Sequence, residues 1–136
     1  MATHHPPFTE GGHSPSTDML AEIDAACQQA HIMPDLFLSG HAHSYQRYTR
    51  RVPFNGKTLE IPYLVVGIGG INDQAVPTAT GQVTGDHTFV TSRQGYGYVL
   101  LDVTTTTITG TMTGVNGTQR SQVEQFSVSL TSNRVT

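Results

Sequence analysis

The sequence is poor in cysteine, in charge and in long apolar runs, and each shortage excludes a class of protein. It holds one cysteine, Cys27, in 136 residues, so neither an internal disulfide framework nor a cysteine-based zinc finger can be built from it. Charged residues make up only 12%, against a usual share of about 25%. With a net charge of only -3, this is not the composition of a disordered chain. Seven Lys and Arg against ten Asp and Glu leave no cationic footprint for a phosphate backbone, so nucleic acid is not an expected partner. The longest apolar run, Tyr63-Leu64-Val65-Val66-Gly67-Ile68, falls far short of the roughly 20 residues of a membrane helix. The opening Met1-Ala2-Thr3-His4-His5-Pro6-Pro7 has neither the charged region nor the apolar stretch of a signal peptide. What the chain has in excess is histidine: seven, as many as Lys and Arg together.

The length fits one domain, residues 1–136, able to bury about two-thirds of the surface its unfolded chain exposes. Its pattern predicts an α/β (α+β) fold, with one helix, one buried strand and then an antiparallel set. From Ser14 to His31 the apolar residues Met19, Leu20, Ile23, Ala26, Cys27 and Ala30 form one stripe at helical spacing. Ser14 is the expected N-cap, Pro15 suits the first helical position, and Pro34 blocks continuation. Leu36-Phe37-Leu38, apolar on both faces and ended by Ser39-Gly40, reads as a buried parallel strand. Tyr45 to Pro53 and Thr58 to Val66 read as a hairpin around Asn55-Gly56. Ile68 to Asp86 is punctuated by Gly, Thr and Pro and reads as a loop. Tyr96 to Thr106, Thr107 to Val115 and Gln119 to Leu130 read as strands, the Thr cluster at 104–107 suiting a half-exposed one.

The chemistry concentrates in Gly40-His41-Ala42-His43, directly after the apolar strand. In an extended segment, residues i and i+2 point to one side, roughly 7 Å apart. Two imidazoles launched that way can serve metal ions about 3.5–4 Å apart, with Gly40 turning the backbone at the strand's carboxyl end. Histidines satisfied within a turn are the alternative. A strand end, a crossover helix and a parallel strand would bring His4 beside His41.

His4-His5-Pro6 followed by Gly40-His41-Ala42-His43-Ser44-Tyr45-Gln46-Arg47 resembles the calcineurin-like metallophosphoesterases, specifically the purple acid phosphatase branch. That family carries an H-x-P segment, a helix and strand, then G-H-x-H followed by Tyr and Arg. Val65-Val66-Gly67-Ile68-Gly69-Gly70 is similar to its glycine-rich strand end. The resemblance covers Thr3 to Gly70 closely and Gly95 to Val103 loosely. It implies the C-terminal half of a metallophosphoesterase-type β-sandwich flanked by a helix, and hydrolysis of phosphate monoesters at a dinuclear centre of Fe with Zn, Mn or Fe. By that resemblance His4 and His41 are ligands of the divalent metal and His43 is a ligand of the iron. His13 then stands where relatives touch the phosphate or protonate the leaving oxygen, a task its neutral-range pKa suits; a solvent-exposed loop histidine is the alternative. His5 reads as a second-shell or surface residue. Tyr45 and Arg47 could orient ligands or phosphate, or serve strand packing and an ion pair. Gln46 stands where many plant-type relatives have Glu, His31 ends the helix, and His87 reads as an isolated loop residue.

The family's other half is not in this sequence. No G-N-H occurs, and the one Gly-Asp pair, Gly85-Asp86, lies downstream of the histidines, so the bridging carboxylate has no counterpart. The expectation is a chain inactive by itself, holding at most one partly liganded metal, such as Zn²⁺ on three imidazoles with an open position. Its expected partners are the phosphate ester, the missing N-terminal half and a second copy of itself. Self-association is expected because Leu36, Leu38, Leu64, Val66, Val99 and Leu101 would otherwise be left wet. Relatives are commonly exported, which favours a periplasmic or secreted home. A cupin barrel also uses H-x-H but needs a nearby Glu, and the first after His43 is Glu60. A non-catalytic metal-binding or oligomerisation module that retains the histidines is the other reading.

Overall fold

A computed structural model describes all residues, Met1–Thr136. The helix α1 spans Thr17–Ala30, starting two residues later than the expected Pro15. Ser16, not Ser14, is the N-cap, and its side chain makes no capping bond. The Ser16 amide instead donates to the Pro6 carbonyl at 2.9 Å, so Ser14-Pro15 belongs to the incoming loop. At the other end His31 takes a left-handed φ of 55° and its amide closes the last turn.

The strand β1 (Phe37–Ser39) runs parallel to β3 (Lys57–Val66), as the sequence predicts. The opening residues lie on its other side: Thr3 N donates to the Leu38 carbonyl, and Leu38 N donates to the Met1 carbonyl, both at 3.0 Å. This first strand-like segment, α1 and β1 form the expected crossover. The strand β2 (Tyr45–Phe54) pairs antiparallel with β3, and both turn residues between them, Asn55 and Gly56, have positive φ, 48° and 74°. Two further strands complete this sheet in the order β1-β3-β2-β5-β4: β4 (Val83–Thr84) and β5 (His87–Arg93). Neither was legible in the sequence, and His87 opens a strand rather than standing alone in a loop. Its ring stacks on Phe8 at 4.1 Å.

The second sheet has the order β6-β7-β8-β9, from β6 (Tyr96–Val103), β7 (Thr107–Asn116), β8 (Gln119–Ser129) and the short β9 (Arg134–Val135). The Thr cluster corrects the sequence reading. Thr104–Thr106 is not strand but the turn between β6 and β7, where the Thr104 hydroxyl accepts from the Thr106 and Thr107 amides at 3.2 and 3.0 Å. The whole is a mixed α+β fold, mostly β, with a single helix.

Alternation sorts the first sheet's side chains onto two faces. Phe37, Tyr48, Val52, Ile61, Tyr63 and Val65 pack with Phe8 and the helix residues Leu20 and Ile23. Leu36 and Leu64 pack against Ile108, Phe126 and Val128 of the second sheet, with Leu38, Val66, Val99 and Leu101 at the margin. The expectation that these apolar residues would lie bare is therefore wrong. The chain supplies its own covering sheet.

Candidate metal centre

Five of the seven histidines gather where β1 ends. The His4 backbone is tied in by the Gly40 amide, which donates to its carbonyl at 3.1 Å. Pro6 and Pro7, both fully buried, anchor the chain immediately after His5. Beyond Gly40 the backbone does not stay extended. Ala42 N donates to the Gly40 carbonyl and Ser44 N to the Ala42 carbonyl, each at 2.8 Å, so two successive three-residue turns carry His41 and His43. The sharp bend falls on His41, with φ at 64°, rather than on Gly40. A non-glycine residue held there is strained by about 1 kcal/mol or more, and such strain collects at working sites.

The rings converge on His41. His4 Nε2 lies 3.2 Å from His41 Nδ1. The ring centroids of His13, His5 and His4 lie 4.0, 4.4 and 5.0 Å from that of His41. The donor atoms of His4, His5 and His41 are all within 4.8 Å of one another and could hold a metal ion. His43 is the member that the sequence groups with His4 and His41 but the geometry sets apart. It lines the same open pocket, of about 440 Å³, with His4, His41, Val66, Gly67, Gly69, Gly70 and Ile71. Its Nδ1–H donates to the Asn72 carbonyl at 3.0 Å, leaving Nε2 free. Partial desolvation, then the neighbouring His13, His5, His4 and His43 imidazoles, hold His41 below its ordinary value of 6.5. That favours the neutral ring, the form that binds metal.

Four sequence candidates, His5, His13, Tyr45 and Arg47, are absent from the pocket lining, though the His5 and His13 rings pack against His41. Tyr45 and Arg47 face the second sheet. There the Tyr45 hydroxyl donates to Glu124 Oε2 at 2.7 Å, and Arg47 Nε donates to Glu124 Oε1 at 2.8 Å. Thr91 donates to the same oxygen at 2.7 Å. Their role here is to join the sheets.

Gln46 faces the opposite way, fully buried. Its Oε1 accepts from the Glu10 amide at 2.8 Å and from the Tyr48 hydroxyl at 2.7 Å. Its Nε2 donates to the Thr9 and Ser44 hydroxyls, both at 3.0 Å, and to the Glu10 carbonyl at 3.2 Å. The amide therefore fixes the loop that leads to His13. Gln46→Glu should cost about 1–3 kcal/mol or more in denaturant unfolding, because a carboxylate cannot donate to those oxygens. An unchanged midpoint would show that the network is dispensable.

Sequence reasoning missed Gln74. Its Oε1 accepts from the His43 amide at 2.9 Å, and its own amide donates to the His43 carbonyl at 2.8 Å. Because Oε1 is thereby assigned, Nε2 is the group facing His13 Nε2, at 3.4 Å. Gln74→Leu should lower stability by about 1–3 kcal/mol by orphaning the His43 amide, whereas Gln74→Glu keeps the acceptor. Equal melting points for the two variants would refute that assignment.

The donor set decides which metal centre fits. No Asp or Glu lines the pocket, so its lining offers no bridging carboxylate, and a dinuclear centre does not fit these lining residues alone. A single ion on imidazoles does. Comparison with family models, with curated proteins and with solved structures finds no match for this chain.

Proposed function

We propose that this chain is the histidine-bearing half of a metal-dependent phosphoesterase similar to the purple acid phosphatases, and that the complete protein hydrolyses phosphate monoesters. The observation that carries this reading is the meeting of the H-x-P segment and the G-H-x-H loop across a strand–helix–strand unit, His4 Nε2 to His41 Nδ1 at 3.2 Å. In the complete protein His4 and His41 would hold the divalent ion, and His43, whose Nδ1 is taken by the Asn72 carbonyl, would serve the second ion rather than this one. A bound ion supplies a Lewis acid and an activated water. His13, with Nε2 facing Gln74, keeps its proton on Nδ1 and would donate it in a hydrogen bond to the phosphate or its leaving oxygen.

Two exposed features support a missing partner half. The helix stripe is covered only in part: Met1, Ile23, Ala26, Cys27, Ala30, Ile32 and Pro34 line an open apolar hollow of about 530 Å³. The edge strand β6 pairs only with β7 and shows Tyr96, Tyr98, Leu100 and Val103 to solvent. Association with a second copy would use that edge, since the faces first expected to drive it are covered. An exported, periplasmic or secreted location belongs to the same reading. No helix is long and apolar enough to cross a membrane.

The absence of a pocket carboxylate favours a second reading, a metal-binding module without catalysis. Hydrolysis of p-nitrophenyl phosphate separates the two. The chain by itself should show no turnover, and the chain joined to a half that supplies the bridging carboxylate should reach roughly 1–10³ s⁻¹. Inactivity of the joined protein with both metals bound would leave only the binding module.

A further inference from the structure

We infer that this chain holds one borderline divalent ion on His4, His5 and His41, with His5 in place of His43 as the third ligand. The inference rests on the reading that the histidines gathered at the end of β1 take metal, and it specifies which of them do so. His4 Nε2 and His41 Nδ1 stand 3.2 Å apart. Two nitrogens on a tetrahedral ion at about 2.0–2.1 Å are about 3.3–3.4 Å apart. This pair, joined by a ring-to-ring hydrogen bond, therefore has the separation of one edge of such a site once an ion replaces the shared proton.

The third corner is the His5 ring, 4.4 Å from that of His41 and 5.1 Å from that of His4. Its donor atom lies within the 4.8 Å shared by all three, a gap that small rotations of exposed side chains close. His43 is outside this group, turned toward the Asn72 carbonyl.

The backbone that presents these rings is built rather than loose. Thr3 Oγ1 donates to the His5 carbonyl at 2.8 Å. Gly40 N donates to the His4 carbonyl, and the buried Pro6-Pro7 pair fixes the exit. Little conformational entropy is then lost on binding. The His13 ring packs against that of His41 at 4.0 Å. Three neutral imidazoles select Zn²⁺, Ni²⁺ or Cu²⁺ over Mg²⁺ and Ca²⁺. The fourth position stays open to water or a small anion.

The test is calorimetric titration with ZnCl₂ of the wild-type chain and of His5→Ala and His43→Ala. The wild type should bind one tight equivalent. His5→Ala should weaken it by about tenfold or more, while His43→Ala leaves it within about threefold, as a residue outside the ligand set would. Far-UV circular dichroism checks that each variant is folded, and the ligand-field absorption of Co²⁺ gives a second readout: the tetrahedral band should persist in His43→Ala and fade in His5→Ala. Tight binding lost in His43→Ala and kept in His5→Ala would overturn the ligand assignment and leave the metal-centre reading standing. No binding by the wild type would overturn both.

Discussion

Gly67→Ala is expected to be among the most damaging single-methyl changes in the molecule. A Cβ at this position would stand 1.9 Å from the Ala42 carbonyl oxygen and 2.7 Å from its carbon. Both are backbone atoms of the G-H-x-H loop, so no side chain can swing aside. Either β3 or the histidine loop must move, at a cost at or above the roughly 1–3 kcal/mol typical of overpacking. The geometry of His41 and His43 moves with it. Zinc affinity should fall by about tenfold to a hundredfold, the range seen when metal ligands lose their support. Calorimetry and a denaturant melt of the same sample check both effects. Wild-type affinity in Gly67→Ala would mean that the loop's position does not matter to the site.

Breaking the lock between the sheets is expected to cost most stability. Glu124 on β8 receives Arg47, Thr91 and Tyr45 from β2 and β5, and its side chain and that of Arg47 are only 10% and 9% exposed. Removing one partner of a buried pair costs about 3–5 kcal/mol, because the other charge is left buried and alone. Glu124→Ala should therefore approach the stability limit of a small domain, about 5–15 kcal/mol.

The same group gives a pH signature. Burial alone would raise the Glu124 carboxyl, but hydrogen bonds from Arg47, Thr91 and Tyr45, with the Arg47 charge, hold it below its ordinary value of 4.5. A depressed folded value contributes stability that is fully present above the unfolded value and lost as pH falls through the folded one. Glu60 acts in the same direction. Burial opposes ionisation there too, but the Val135 amide and Arg134 hold it low. Stability should thus be flat above pH 5 on their account and decline in acid. Glu124→Gln should decline less. Parallel acid profiles for wild type and Glu124→Gln would remove Glu124 from the explanation.

Much of the fold was legible because it rests on local signals. The apolar stripe of α1, the two-faced β1 and Asn55-Gly56 each follow from residues a few positions apart. The crossover that carries His4 to His41 follows from the order of those elements. Several features depend instead on partners far along the chain. Arg47 and Glu124 are 77 residues apart, and nothing in Tyr45-Gln46-Arg47 announces that Tyr45 and Arg47 leave the pocket while Gln46 turns toward Thr9. His87–Arg93 lacks a clean alternation, since six of its seven residues are half-buried, so β5 carried no strand pattern. Gln74 is an ordinary loop residue until His43 and His13 are placed against it. An extended chain after Gly40 would pair His43 with His41, and the turns at Gly40–Ser44 break that pairing; His5, the middle residue of H-x-P, carries no sequence signal for its place beside His4 and His41.

Zinc K-edge X-ray absorption on the chain loaded with one equivalent of metal tests the central claim most directly, that this chain alone forms a single imidazole-bound centre. The account predicts about three imidazole nitrogens at about 2.0–2.1 Å, a light oxygen or nitrogen atom in the fourth position, and no metal–metal scattering. A metal–metal vector near 3.5–4 Å, or a shell with one imidazole or none, would contradict it.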